Sequence, residues 1–250
     1  MSRDLVVTFL GTGDAFGSGG RLQTCFHVKT PDSSFLIDCG ATACLAMKRH
    51  GLQANDLDAV LVSHYHADHF AGVAFLLLES RVLRRSRPIA LGGPPGLSER
   101  VKTSMEVLFP GVGSNFEFPI DYHEYRPAAP IDIGVARVTG YPVEHAPSTM
   151  PHALRIEIGD RVIAYSGDTL WTDALVEVAR GADLFICEVS GYDSPNGIHL
   201  DYLTLLEHRA SFECRRLVLT HMGEDVLAHI DHVTERLEAS AAHDGFVIRI

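Results

Sequence analysis

The chain has no C-x-x-C pair, and its five cysteines, Cys25, Cys39, Cys44, Cys187 and Cys214, are scattered and odd in number. A disulfide framework and a cysteine-based zinc site are therefore not expected, which fits a reducing, cytoplasmic setting. Long apolar runs are missing too. None reaches about 18 residues, so no membrane span is expected. The start, Met1-Ser2-Arg3-Asp4, lacks an apolar export segment. Positive charge is scarce: 21 Lys and Arg stand against 32 Asp and Glu, for a net charge of −11. Extended nucleic acid, which needs a basic surface, is not an expected partner. The glycine-rich stretch Gly11 to Gly20 fits neither phosphate-loop pattern. Position 16 is Phe where G-x-G-x-x-G requires glycine, and no Gly-Lys-Ser/Thr follows. It reads as a tight turn between two strands.

What the chain has is histidine, 14 in all, and the placement of these residues matters more than their number. His64-Tyr65-His66-Ala67-Asp68-His69 packs three imidazoles and a carboxylate into six positions. The apolar run Leu57 to Val62, short enough for a buried strand, leads in; Phe70 to Leu78, long enough for a helix, leads out. A loop at the C-terminal end of a strand is where α/β sheets bind ligands. Neutral imidazole and carboxylate oxygen are zinc ligands when thiolates are absent. His64 and His66 would point the same way in an extended loop, and Asp68 and His69 could turn toward a second ion. A run of solvated histidines is the bland alternative, but four donors in six positions after a strand argue against it.

With 250 residues, 46% of them hydrophobic, the chain can build a sizeable core, and one domain over residues 1–250 is expected. Strands are expected at Leu5–Leu10, Cys25–Lys29, Ser34–Asp38 and Leu57–Val62, with a helix over Ala41–His50. Beyond the motif come a strand at Pro88–Leu91, a helix over Leu97–Phe109, and strands at Phe116–Asp121 and Ala136–Val143. Ala153–Ile158 and Arg161–Ser166 alternate around Gly159-Asp160, a two-residue hairpin signal. Helices are expected over Thr172–Arg180, Tyr202–Cys214 and Val226–Ala242, with strands at Asp183–Val189, Arg216–Thr220 and Phe246–Ile250. Two sheets packed together with helices outside accommodate this order. Arg81, Arg84, Arg85 and Arg87 close the helix after the motif; a solvated helix end is favoured over a phosphate-binding patch.

Further donors fall at strand ends. His145 follows Ala136–Val143, Asp168 follows Arg161–Ser166, and His221 follows Arg216–Thr220. Glu188 closes Asp183–Val189, and His199 precedes the helix from Tyr202.

This set resembles the metallo-β-lactamase superfamily across essentially the whole chain: Phe9-Leu10-Gly11-Thr12-Gly13, the six-residue motif, His145, Gly167-Asp168-Thr169 and Thr220-His221 occur in order. The resemblance implies an α/β fold, an αββα sandwich of two mixed β-sheets flanked by helices, with two zinc ions at one edge; manganese or iron could replace them. By it, His64, His66 and His145 would hold one ion, Asp68, His69 and His221 the other, and Asp168 would bridge them. The chain looks most like the ribonuclease Z and phosphodiesterase branch. Glu188 and His199 resemble that branch's proton-donating pair, and Asp68 would serve both as ligand and as orienter of hydroxide. The interval from His145 to Asp168 is too short for the tRNA-gripping arm carried there by tRNA-processing members. The branch's small phosphodiesterases carry a cysteine-rich knuckle near the N-terminus, where this chain has only Cys25.

The implied activity is hydrolysis of a small phosphodiester, such as a cyclic nucleotide or short nucleotide-like molecule, by a bridging hydroxide on two zinc ions. The alternatives are a thioester or lactone hydrolase on the same metals and a tRNA 3′-processing endonuclease. A di-iron redox protein would carry glutamate where His66 stands. A homodimer would be in keeping with the branch.

Overall fold

A computed structural model of the chain describes residues 5–113, 115–127, 129–193 and 197–250. Met1–Asp4, where no export segment is expected, lie outside the described residues. Among those described, no helix is long and apolar enough to cross a membrane.

The first part of the chain runs β1 (Val6–Gly11), β2 (Cys25–Lys29), β3 (Ser34–Ile37), α1 (Ala43–Arg49) and β4 (Ala59–Leu61). The motif then starts a helix earlier than its apolar exit suggests. α2 (Ala67–Phe70) already contains Asp68 and His69, and α3 (Gly72–Val82) carries on from it. β5 (Ile89–Gly93), α4 (Leu97–Leu108) and β6 (Ile120–Glu124) follow. β6 starts four positions beyond the expected Phe116. Pro119 lacks an N–H for the ladder, and Phe116 and Phe118 pack under the sheet instead, with Pro119 O accepting from Ile89 N.

The second part runs β7 (Ile131–Ile133), β8 (Ala136–Pro142), β9 (His152–Ile158), β10 (Arg161–Tyr165), α5 (Ala174–Ala179), β11 (Leu184–Glu188), α6 (Tyr202–His208) and β12 (Leu217–Thr220). It closes with α7 (Glu224–Ala228), α8 (Ile230–Leu237), β13 (Ser240–Ala241) and β14 (Phe246–Arg249). β7 is too short and too close to prolines for its pattern to stand out. The single helix expected over Val226–Ala242 is two, broken at His229, whose φ of −119° and ψ of 20° are not helical. The helix expected over Tyr202–Cys214 stops at His208, and Cys214 instead bridges to Ala182.

Two seven-stranded sheets result, in the orders β14-β1-β2-β3-β4-β5-β6 and β13-β12-β11-β10-β9-β8-β7. Each is mixed. β3 to β6 run parallel and β14 to β3 antiparallel; β10 to β13 run parallel and β7 to β10 antiparallel. Between the sheets lies a core of Val7, Phe9, Phe26, Val28, Leu154, Ile163, Ile186 and their neighbours. Outside the first sheet, α1, α3 and α4 cover an apolar layer with Met47, Leu76 and Val101. Outside the second, α5 to α8 do the same with Leu175, Leu205 and Val233. This is the αββα sandwich. Central strands such as β3, β4, β11 and β12 are buried on both faces, which explains their apolar runs, whereas the edge strands β6, β7 and β14 are partly exposed.

Of the arginines that close α3, Arg84 is exposed, as a solvated helix end would have it, but Arg85 is not. Arg85 is buried and its guanidinium donates to Ala54 O, Leu57 O, Arg87 O and Pro88 O, tying the loop before β4 to the loop before β5. Arg87 pairs with Asp58.

Candidate metal centre

The strands that run parallel end on one edge of the sandwich, and the polar residues just past those ends meet there. His64 and His66 come from the loop after β4, Asp68 and His69 from α2, His145 from the loop after β8, Asp168 from that after β10, and His221 from that after β12. Glycine makes the close approach feasible. A Cβ on Gly40 would lie 2.2 Å from Asp68 O, and one on Gly72 would lie 2.2 Å from Gly40 O. Any larger residue would push α2 off the sheet.

The groups form two overlapping donor sets. In the first, His66 Nδ1 lies 3.2 Å from His64 Nε2 and 3.0 Å from His145 Nε2, with Asp168 Oδ2 3.7 Å from His64 Nε2 and 4.0 Å from His145 Nε2. In the second, Asp68 Oδ2 and Asp168 Oδ2 are each 3.2 or 3.3 Å from His69 Nε2 and 3.3 Å from His221 Nε2. Ligands on a tetrahedral ion with bonds of about 2.05 Å are roughly 3.3 Å apart. Asp168 Oδ2 belongs to both sets.

Outer partners aim these nitrogens inward. His69 Nδ1 donates to Asp38 Oδ2 at 2.7 Å, and His145 Nδ1 donates to Ile198 O at 2.6 Å. His64 Nδ1 meets Ser63 Oγ at 3.0 Å, and that hydroxyl itself donates to Asp38 Oδ2 at 2.8 Å. His64 and His145 therefore keep a proton on the outer nitrogen and present a lone pair to the centre, and His69 is held with its Nε2 facing the same way. His69 Nε2 and Asp168 Oδ1 are buried at the centre without a hydrogen-bond partner, as is His221 Nδ1 on the side of its ring toward Glu188. Buried polar atoms are rarely left so. Orphaned donors among converging imidazoles and carboxylates fit divalent cations.

The electrostatics agree. Burial holds His64 well below the ordinary histidine pKa and His145 at about 4, so both are neutral, as a ligand must be. Burial works to raise Asp168, but His221 and His69 beside it keep it well below the usual carboxylate range. His69 and His221 go the other way: burial opposes protonation, yet the carboxylates beside them raise both, His221 to about 9. That is the mark of uncompensated negative charge, which a cation would neutralise.

Glu188 and His199 form a third group at the rim. His199 Nδ1 lies 2.9 Å from Glu188 Oε2 and 3.9 Å from Asp168 Oδ2. Thr169 N donates to the other Glu188 oxygen. Burial raises the Glu188 carboxyl; for His199 burial is outweighed by its hydrogen bond to Glu188, and its pKa rises.

All the residues singled out from sequence are thus brought to one edge. Asp38 was missed. It accepts from Ser63 N and Oγ, His69 Nδ1 and Tyr165 Oη while fully buried, in a left-handed conformation with φ 56°. The signal was available: a carboxylate directly after an apolar strand and before Cys39-Gly40 matches the placement of Asp168. Asp244 was missed too. Its carboxylate accepts from Thr12 N, Thr12 Oγ1 and Leu22 N, fixing the loop after β1, and Thr12 O in turn accepts from His221 N.

A family model described as Anti-Pycsar protein Apyc1 matches residues 5–241. The chain belongs to this family. Among curated relatives, a ribonuclease Z of Mycobacterium bovis is 30% identical over 193 residues, covering 73% of this chain and 69% of the relative. A ribonuclease Z of Methanothermobacter thermautotrophicus is 26% identical, over 87% of this chain and 86% of the relative. The metallo-β-lactamase fold protein YhfI of Bacillus subtilis superposes with a TM-score of 0.82 at 23% identity, over 100% of both chains. The short form of human tRNase Z superposes at 0.77 and 24% identity, over 97% of this chain and 98% of that one. The αββα sandwich is therefore the metallo-β-lactamase fold, and the chain is a ribonuclease Z-like metal-dependent hydrolase.

Proposed function

We propose that the chain hydrolyses a small phosphodiester, such as a cyclic nucleotide, on two divalent cations, with zinc as the first choice. The observation that carries this is the position of Asp168 Oδ2 in both donor sets, with a proton-donating pair beside them. His64, His66 and His145 would hold one cation, Asp68, His69 and His221 the other, with Asp168 between. Because the donors come from both sheets, the working unit is one domain spanning residues 1–250. Bound there, the cations would supply Lewis acidity, neutralising phosphoryl charge and acidifying a water to near neutral pH.

The chain's own residues do the rest. Asp68 directs Oδ2 at His69 and His221, which leaves Oδ1 to orient the attacking water. Glu188 holds His199 through Nδ1, so His199 Nε2 is free to give a proton to the departing alkoxide. The raised pKa of His199 keeps that proton in place near neutral pH.

Support for phosphodiester chemistry also comes from the relatives, whose name, ribonuclease Z, denotes cleavage of RNA. A small substrate is favoured over a long RNA by the net charge of −11 and by residues 146–167. That interval is filled by a single turn (Pro147–Thr149) and the β9–β10 hairpin, with no protruding arm. The relatives' name makes tRNA 3′-processing the second reading.

Turnover of bis-p-nitrophenyl phosphate with added zinc or manganese, lost in His66→Ala, is the expected result. Hydrolysis of thioesters or lactones without any phosphodiester turnover would overturn the proposal. Efficient 3′-trailer removal from a tRNA precursor would move the assignment to the second reading. His199→Ala should lower the rate about 10²–10⁴-fold while metal content is unchanged; loss of metal would make His199 a ligand.

A further inference from the structure

Hydrogen bonds at Nδ1 aim the rings of His64, His69 and His145, but His221 Nδ1 has no hydrogen-bond partner among the described residues. The aim of the His221 ring therefore comes from its backbone. That backbone is left-handed, with φ 55°. A bulky residue is strained there and persists only where its surroundings fix it. The result is that His221 Nε2 lies 3.3 Å from both Asp68 Oδ2 and Asp168 Oδ2.

One carbonyl does the fixing. Thr12 O, just past β1, accepts from His221 N at 3.0 Å and from Thr220 Oγ1 at 3.3 Å, so it reaches from the first sheet to the ligand of the second. Thr12 is clamped in turn by Asp244. Oδ1 of this carboxylate accepts from Thr12 N at 3.0 Å and from Thr12 Oγ1 at 2.9 Å, and Oδ2 accepts from Leu22 N at 2.8 Å. Asp244 sits where the chain passes from β13 in the second sheet to β14 in the first. Ala242 N donates to Leu219 O of β12 on one side, and Gly245 N donates to Phe9 O of β1 on the other, both at 2.8 Å. The carboxylate thus stands on a base tied to both sheets.

We propose that Asp244 is a positioning residue for the second cation: by holding Thr12 O it keeps His221 in the left-handed conformation that turns Nε2 toward Asp68 and Asp168. It touches neither cation nor substrate. The inference rests on the two-cation reading above and concerns only the set of Asp68, His69 and His221. Among the described residues, no hydrogen bond joins His64, His66 or His145 to Thr12 or Asp244.

The test titrates the metal-free protein with zinc against a chelating dye. The wild type should take two equivalents. Asp244→Ala should weaken one of them about tenfold and leave the other unchanged. Asp244→Asn, whose Oδ1 can still accept from Thr12, should recover most of the loss. Glu224→Ala removes the same charge and frees the loop after β1 at Gly19, whose N–H it binds, without touching Thr12; it should match the wild type. Two further variants tell the cations apart. In His145→Ala the remaining equivalent belongs to the second set, and adding Asp244→Ala should weaken it. In His221→Ala it belongs to the first set, and adding Asp244→Ala should leave it unchanged. Thr12→Ala, which removes one of the bonds to Asp244, decides the matter should Asp244→Ala fail to fold: it should weaken the same equivalent roughly threefold, and Thr12→Ser should not. If the wild type takes two equivalents but Asp244→Ala weakens both alike or neither, the positioning role is wrong and the two-cation reading stands; equal weakening in Glu224→Ala would overturn it in the same way. If the wild type takes a single equivalent, the two-cation reading falls and the inference falls with it.

Discussion

The first sheet brings His64, His66, Asp68 and His69 to the centre from six consecutive positions after β4, whereas the second brings His145, Asp168 and His221 from the separate ends of β8, β10 and β12. The first group is set by a local turn and by one buried carboxylate behind it, Asp38. The second exists only once three strands have paired in register, and no common residue stands behind it. His145 leans on Ile198 O, while His221 Nδ1 sits 3.8 Å from Glu188 with no hydrogen bond. A contiguous motif can be organised before the sheets meet; a dispersed one depends on them.

The largest expected effect breaks the centre where the two halves join. Asp168→Ala removes the oxygen common to both donor sets, so both cations should be lost, and phosphodiester turnover should fall far beyond the ~10–100-fold expected for loss of a partner behind a ligand. Metal analysis of the purified variant checks it. Retention of one full equivalent of metal would show that the halves bind independently. His145→Ala touches only one set and should keep one equivalent.

Next in size is Asp38→Asn, which keeps shape but removes the charge behind His69. Metal affinity should drop about 10–100-fold, measured by competition with a chelating dye. If instead affinity is unchanged, the carboxylate behind the first group matters only for packing.

A smaller effect separates buried histidines at the centre from one away from it. His27, in β2, is as hidden as His145 but hydrogen-bonds Ser34 Oγ, at 2.8 Å, instead of facing the carboxylates of the centre. Burial lowers its pKa to about 4 from an ordinary 6.5. The unfolded chain therefore binds this proton first, and stability is lost as pH falls through the window from 6.5 to 4. At pH 5 the loss is about 2 kcal/mol from this residue alone. Urea midpoints measured at pH 7 and pH 5 should differ less in His27→Gln than in the wild type; equal differences would mean that His27 is not held neutral.

The same contrast explains what could be read from the chain. Strands such as β4 and β11 were legible because burial on both faces writes continuous apolar runs, and β9 and β10 because they alternate around a two-residue turn. The six-residue motif was legible because its chemistry is contiguous. His145, Asp168 and His221 stand out only through their place just past a strand end. Asp38 has the same kind of place, one residue past β3, but no histidine lies beside it in sequence to draw attention to it; its partner His69 is 31 positions away. The breaks at His229 and His208 are matters of tertiary packing that periodicity does not carry, whereas the late start of β6 was written in the sequence by Pro119. Arg85 looked solvated because its neighbours in sequence are charged, while the carbonyls that bury it come from the loops before β4 and β5.

Tyr165 should give the smallest effect, and it bears directly on the comparison. It sits on β10, in the second sheet, and its hydroxyl donates to Asp38 Oδ2 at 2.9 Å, behind the first sheet's group. Its ring packs edge-on against Phe26. Tyr165→Phe keeps the ring and removes one of four donors to Asp38; Ser63 N, Ser63 Oγ and His69 Nδ1 remain. A stability loss of about 1 kcal/mol is expected, with metal affinity lowered much less than in Asp38→Asn. Urea unfolding and the same dye competition measure both. Should Tyr165→Phe cost as much metal affinity as Asp38→Asn, the first group would depend on the second sheet after all, and the motif after β4 could not be organised before the sheets meet.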